Sequence, residues 1–395
     1  MKLHYTPCEE LLKRIENLKA ALSHKKLQGA LIIQKADLFY FSGTCQNAHL
    51  FVPVDGEPVL MVKESLARAQ KECALANIES LQSLKHMAAK IISMLGKNGS
   101  LGLELDVLPA NNYLYYKKLL SPLKVEDISL AIRKIRMVKS DYEIERLKDA
   151  AELNFKMFST VAEILEEGLT EVEVASQLEA VYRRNGHQGP VRMRGFNQEI
   201  HYGHLLSGWN LSYPSFFDGP TGGTGLNPSY PQGAGFKKIR KNEPVMVDYV
   251  GVLNGYMVDQ TRIFSIGELS PKLIKAYEVA MGIKKKIIAE TRPGVNGKDL
   301  YDMAFNMAAE AGLHDHFMGP DERIKFIAHG VGIELDELPV IAKNFDFILE
   351  KGMVLALEPK FIFGAEGAVG IEDTLVITES GLQSITYFSN EIQVL

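Results

Sequence analysis

Apolar positions along this chain recur with two periods, and the places where the period changes mark its elements. A helical stripe runs over 9–25. Short apolar runs at 29–34 and 37–42 read as strands. Two more, at 49–54 and 58–62, form a strand pair across Asp55-Gly56. Helical periodicity returns over 64–76, 84–96 and 110–120, with strands at 101–105 and 125–129. This alternation predicts an α/β domain over 1–133, in which no catalytic constellation is visible. Over 130–142 the text becomes basic and mixed. Ser140 or Asp141 then offers an N-cap for a long helix reaching about 166. A second domain is therefore placed over 134–395.

The strongest pattern lies at 245–264. Two apolar, β-branched runs flank Asn254-Gly255, the dipeptide a type I′ hairpin turn favours. That turn sets Leu253 against Tyr256 and Asp248 against Thr261. Asp248 and Asp259 then project from one face as diagonal neighbours. Two carboxylates about 4 Å apart repel by roughly 4 kcal/mol at an effective dielectric near 20. Either they are solvated on an open face, or a proton or cation sits between them.

A faint repeat follows. Gly168 and Gly294, then Gly186 and Gly312, each end a predicted helix, and each pair is 126 positions apart. A duplicated helix–helix–hairpin unit follows from that. Its second hairpin is expected in the runs 353–361 and 368–378, joined by a loop with Gly364 and Gly367. Folding that loop at its midpoint sets Glu358 against Glu372. One half then offers two aspartates and the other two glutamates. Carboxylates converging in this way need cations. His329, in Ala328-His329-Gly330-Val331-Gly332, reads either as a core histidine or as a further ligand, and its flanking glycines permit close backbone approach. Carboxylates with one imidazole suit Mn²⁺, Co²⁺ or Zn²⁺.

Composition narrows the classes. The chain has 395 residues, too many for one ordinary core. Its net charge of −5 and pI near 6.1 argue against a nucleic-acid footprint. No apolar run long enough for a membrane helix occurs, and the first residues lack the apolar stretch of a secretory signal. Cys8, Cys45 and Cys73 form no paired spacing, so reduced thiols and a cytoplasmic location are expected.

The series Asp248, Asp259 with Thr261-Arg262, His329-Gly-Val-Gly, Glu358-Pro359 and Ile371-Glu372-Asp373 resembles the ligand series of the M24-type pita-bread metallopeptidases. Arg136-Met137-Val138-Lys139-Ser140 with Glu143-Ile144 resembles the prolidase and aminopeptidase P branch. The first 133 residues resemble a creatinase amino-terminal domain. The resemblance implies a two-domain α/β chain, with a creatinase-like N-terminal domain and a C-terminal pita-bread (α+β) catalytic domain. It implies two divalent ions, Mn²⁺ or Co²⁺ with Zn²⁺ as a further option. Asp248, Asp259 and Glu372 would hold one ion; Asp259, His329, Glu358 and Glu372 would hold the other. Glu358 would act as general base toward a water between them, and the reaction would be cleavage of an Xaa-Pro peptide bond. A homodimer is also implied.

The pattern breaks around the ligands. Family members usually carry a histidine seven residues after the ligand histidine, where Asp336 stands here. A Pro-His-Gly histidine is matched by Pro231-Gln232-Gly233. Gly370 replaces an arginine before Ile-Glu-Asp, and Lys325 stands where aminopeptidase P carries a histidine. His201 and His204, in the stretch 193–204, either supply the missing imidazole or lie on an ordinary loop. Glu358, Asp336, His201, His204 and Gln232 are thus the candidates for catalytic and substrate contacts. Three functions follow: an Xaa-Pro peptidase acting on short peptides, a metal-dependent hydrolase of a non-peptide C–N bond in a small amide, or a non-catalytic metal-binding homologue.

Overall fold

The computed structural model describes residues 4–319 and 324–395. The chain forms two compact units. One gathers the residues up to Arg136 with Arg194–Phe196; the other gathers Met137–Met193 and Asn197–Leu395.

In the first unit, β1 (Gly29–Ile32), β2 (Ala48–Pro53), β3 (Val59–Val62), β4 (Ile78–Ser80), β5 (Ser100–Leu103) and β6 (Lys124–Asp127) form one sheet in the order β4-β3-β2-β1-β5-β6. The pairs β1–β2 and β2–β3 are antiparallel and the rest parallel. Helices α1 (Cys8–His24), α2 (Lys35–Ser42), α3 (Leu66–Glu72), α4 (Leu84–Leu95), α5 (Ala110–Leu119) and α6 (Ser129–Met137) accompany it. Leu31, Phe51, Ile91, Leu101 and Leu120 pack into one core. The strand expected at 37–42 is instead α2. Its run Leu38-Phe39-Tyr40-Phe41 is too short for periodicity to separate strand from helix. The ends decide: the Gln34 side chain accepts the Asp37 N–H at 2.7 Å, and Gly43 closes the helix with φ +76°.

In the second unit, α7 (Asp141–Phe158) starts in a capping box of Ser140 and Glu143, and α8 (Val161–Ile164) follows. A second capping box, Thr170 with Glu173, opens α9 (Glu171–Arg184). Helices α10 (Pro271–Glu290) and α11 (Gly297–Glu310) repeat this pair. Gly168, Gly186, Gly294 and Gly312 all have positive φ, so each ends its helix or turn in a conformation that disfavours other residues.

Strands β7 (Pro190–Val191) and β8 (Ile200–His201) pair with each other. The large sheet contains β9 (Gly203–Ser207), β10 (Val245–Leu253), β11 (Tyr256–Ser265), β12 (Phe326–Gly330), β13 (Glu337–Ala342), β14 (Val354–Leu357) and β17 (Glu372–Thr378), in the order β13-β12-β14-β17-β11-β10-β9. Outside this path, β18 (Gly381–Ser384) pairs with β17 and β19 (Gln393–Val394) with β11. About the β17–β11 junction, β12-β14-β17 answers β9-β10-β11. The duplicated unit is thus visible in strand order.

The β10–β11 register runs from Leu253↔Tyr256 through Asp248↔Thr261, as the Asn-Gly turn requires. Asn254 and Gly255 both have positive φ. The second hairpin is not continuous. Pro359, which has no N–H, interrupts it, leaving β14 on β17 and β15 (Lys360–Ile362) on β16 (Ala368–Gly370). Leu357↔Asp373 on one side and Lys360↔Gly370 on the other still set Glu358 opposite Glu372. Beneath the sheet, Ala276, Ala280, Ile283 and Ile287 of α10 pack with Leu355, Leu357 and Phe361. Leu153, Met157 and Leu178 pack with Val245, Val247 and Tyr249.

Candidate metal centre

Five side chains from four strands and a bend meet on one face of the sheet. Asp248 comes from β10, Asp259 from β11, His329 from β12, Glu358 from the bend after β14, and Glu372 from the start of β17. All five are buried. Asp259, His329 and Glu372 offer donor atoms within 4.8 Å of one another. The backbone around them is tied down. Thr374 Oγ1 accepts from Asp259 N and donates to Asp259 O, both at 2.9 Å. Thr261 Oγ1 donates to Glu372 Oε2 at 2.8 Å.

The His329 ring is oriented from behind. Nδ1 lies 3.1 Å from Leu335 O and 3.2 Å from Gly330 O. Two carbonyls can only accept, so Nδ1 carries a proton and Nε2 is the ring atom left to meet a metal. Burial lowers this imidazole, but Asp336, Glu358 and Glu372 outweigh burial and raise it above its ordinary value, so with no cation in front of it Nε2 tends to hold a proton as well. Nε2 lies 3.9 Å from both Glu358 Oε1 and Glu372 Oε1. Glu372 Oε1 is buried and, among the described residues, has no hydrogen-bond partner. A ring nitrogen and an orphaned carboxylate oxygen 3.9 Å apart, with no hydrogen bond between them, fit a cation in the gap. The 331–337 segment that carries Leu335 is clamped by Glu337. Its carboxylate accepts from Ile333 N at 2.9 Å, Glu334 N at 3.1 Å and Lys139 Nζ at 3.0 Å.

Lys360 is the group the sequence reading missed. Its Nζ donates to Glu358 Oε2 at 2.8 Å, Asp248 Oδ2 at 2.9 Å and Glu372 Oε2 at 3.1 Å. Lysine is rarely buried this deeply. The signal was present, since a lysine two residues after Glu358 in an apolar strand run shares its face.

Charge and burial set the protonation preferences. Burial pushes Glu372 up to about 7, Glu358 and Asp248 add to the push, and Lys360 opposes it. Asp259 is driven well above the usual carboxylate range by burial, then by Glu372 and Asp248. Asp248 goes the other way: burial raises it, but Lys360 and His204 outweigh burial and hold it low. For Lys360, burial favours the neutral amine and the surrounding carboxylates more than reverse that.

The remaining predicted residues divide. Asp336 Oδ1 lies 3.3 Å from His329 Nδ1, and its side chain is 43% exposed on the cleft wall. His204, buried on β9, has Nε2 2.9 Å from Thr221 Oγ1 and 3.6 Å from Asp248 Oδ2. Burial holds this imidazole below its ordinary value. His201 is 65% exposed and faces Glu179 at 3.6 Å, away from the carboxylates. Gln232 is buried but lines a neighbouring cavity of about 550 Å³, which also takes in His201 and Tyr230. Gly203 and His204 line both that cavity and the cleft over the metal ligands. The cleft itself encloses about 40 Å³ under Phe217–Thr221, room for a few waters. Asp373, next to Glu372, faces away from the centre. It is bound by Arg262 Nη2 at 2.9 and 3.1 Å and by Lys284.

Comparison with known proteins gives the family and the fold. The profile described as metallopeptidase family M24 matches residues 145–379, and the creatinase/prolidase N-terminal domain profile matches residues 14–138. An Xaa-Pro dipeptidase from Pyrococcus furiosus is 27% identical over 384 residues, covering 96% of this chain and 99% of its own. A solved prolidase from the same organism is 26% identical with a TM-score of 0.77, covering 94% of this chain and 99% of its own. An Xaa-Pro dipeptidase structure from Bacillus anthracis superposes with a TM-score of 0.84 at 24% identity, covering 98% of this chain and all of its own. The chain belongs to metallopeptidase family M24.

Proposed function

We propose that this chain hydrolyses short peptides, Xaa-Pro peptides first among them, at a divalent metal held by Asp259, His329, Glu358 and Glu372. One observation carries the reading. His329 Nε2, its ring fixed by Leu335 and Gly330 carbonyls, faces the unpartnered Glu372 Oε1. A core histidine paired with these carboxylates would close to hydrogen-bond distance of one of them; Nε2 instead stands 3.9 Å from both Oε1 atoms, leaving a gap that a cation fits. The names of the relatives support the choice of peptide substrate.

A divalent ion bound there supplies a Lewis acid for the scissile carbonyl and lowers the pKa of a water. The chain's own residues do the rest. Glu358 Oε1 borders the reaction space and is the general base that takes the water's proton and returns it to the leaving nitrogen. His204 and Asp336 stand on opposite walls of the cleft and contact the substrate. The cavity beyond His204 and Gly203 has the volume of a small-ligand site and takes the substrate's body. Entry requires the 217–221 segment to lift, because the cleft as shaped admits only water. The same reading takes Mn²⁺ or Co²⁺ as the metal, from the donor set, and the cytoplasm as compartment, from three free cysteines. It takes a homodimer from the family resemblance.

The test is a substrate panel on metal-loaded protein: Xaa-Pro dipeptides, longer Xaa-Pro peptides, matched peptides without proline, and acyl amides. Proline-dependent cleavage lost in Glu358→Gln is the expected result. Cleavage of amides alone would move the assignment to a non-peptide C–N hydrolase, which the acidic Asp336 in the cleft wall favours.

A further inference from the structure

We infer that Lys360 permanently fills the place of a second cation, so that this chain binds a single divalent ion. The inference rests on the metal-centre reading above and specifies it.

The two glutamates show the division. Glu358 turns Oε2 to Lys360 and Oε1 toward His329. Glu372 does the same, with Oε2 at 3.1 Å from Lys360 Nζ and Oε1 at 3.9 Å from His329 Nε2. Two cation places therefore lie side by side, sharing the same pair of carboxylates. One contains an ammonium. The other is bounded by His329 Nε2, the two Oε1 atoms and Asp259, and among the described residues no lysine or arginine pairs with those Oε1 atoms.

The ammonium is built in. A lysine Nζ has three N–H donors, and three carboxylate oxygens surround this one at 2.8, 2.9 and 3.1 Å. Its strand is fixed on both edges, by pairing with β16 and by Met318 N donating to Lys360 O at 2.9 Å. Its stem crosses Gly370, where a Cβ would come within 2.5 Å of Lys360 Cγ. The side chain is thus buried along its length, with a glycine beneath it that leaves it room. Asp248, which a two-metal centre would use as a ligand, is engaged by Lys360 and faces His204.

Charge agrees. Four carboxylates and one ammonium leave a deficit that a single divalent ion nearly fills. Two such ions beside the ammonium would leave the centre positive before any water gave up its proton.

The test uses the full chain loaded with Mn²⁺ and desalted. Metal per chain is measured by elemental analysis, and electron paramagnetic resonance separates an isolated ion from a coupled pair. We expect one ion per wild-type chain with the signal of isolated Mn²⁺, still one in Asp248→Asn, and two coupled ions in Lys360→Ala. Two ions in the wild type would overturn the inference and leave the metal-centre reading standing. None would overturn both. A folded Lys360→Ala, by circular dichroism, that still takes one ion would also overturn it. If that variant fails to fold, the wild-type and Asp248→Asn counts decide.

Discussion

Gly370 lies directly beneath Lys360: a Cβ at 370 would stand 2.5 Å from Lys360 Cγ and 2.7 Å from Lys360 Cα. Lys360 in the centre and the glycine at 370 are therefore packed as one structural unit. Gly370→Ala would push on both the lysine stem and the β15 backbone. We expect a loss of about 1–3 kcal/mol, the usual cost of overpacking, read from urea unfolding of the metal-free chain. An unchanged midpoint would show that the two residues are not packed as described.

Asp336 acts behind the metal ligand as well as on the cleft wall. Its Oδ1 is 3.3 Å from His329 Nδ1, which already has the Leu335 and Gly330 carbonyls. Losing such an outer partner typically weakens metal binding by about 10–100-fold, and the two carbonyls keep the expected loss for Asp336→Ala near the lower end. Calorimetric Mn²⁺ titration reads this. A rise in KM with unaltered metal affinity would instead make Asp336 purely a substrate contact.

Asp373 illustrates a buried charge that is structural. Arg262 and Lys284 both bind it, and Thr386 Oγ1 donates to it at 2.8 Å. Asp373→Asn leaves two buried cations short of their anion. A destabilisation of about 3–5 kcal/mol is expected, measured by denaturant unfolding. A change within a few tenths of a kcal/mol would contradict the account of this cluster.

Two histidines away from the metal ligands give the chain an acid limb. Burial lowers His49 to about 4, with Lys63 adding to it, and lowers His187 to about 4 as well. Each folded-state value lies below the unfolded value of about 6.5. Between these values the unfolded chain binds protons that the folded chain does not. Stability is therefore full above pH 6.5 and is lost progressively as pH falls toward and through 4, by up to about 3 kcal/mol per histidine. His49 lies in the first unit and His187 in the second, so both units should lose stability. Urea midpoints that stay flat from pH 7 to pH 4.5 would contradict this.

Much of the second unit was legible because local chemistry and tertiary pairing agree there. Asn254-Gly255 sets the β10–β11 register by itself, and with it the positions of Asp248 and Asp259. The register of Glu358 with Glu372 followed from a glycine loop, although Pro359 splits that hairpin into two pieces. Three features were not legible, for different reasons. The run 37–42 carries no periodicity, and only the caps at Gln34 and Gly43 make it a helix. His201, on the two-residue β8, and Gln232, in the irregular stretch before β10, lie where spacing does not encode direction, and both line the neighbouring cavity rather than the cleft over the carboxylates. Lys360 was hidden by the motif itself. Glu358-Pro359 completes the resemblance by itself, whereas Lys360 shows its role only where Asp248, Glu358 and Glu372 converge on it.

On the inference above, one cation place in this centre takes metal and Lys360 fills the other. Anomalous diffraction from crystals loaded with Mn²⁺ tests it most directly. A single anomalous peak bounded by His329 Nε2, Asp259, Glu358 and Glu372 is expected, with Lys360 Nζ still on Asp248. A second peak beside Asp248 with Lys360 displaced, or no peak near His329, would contradict it.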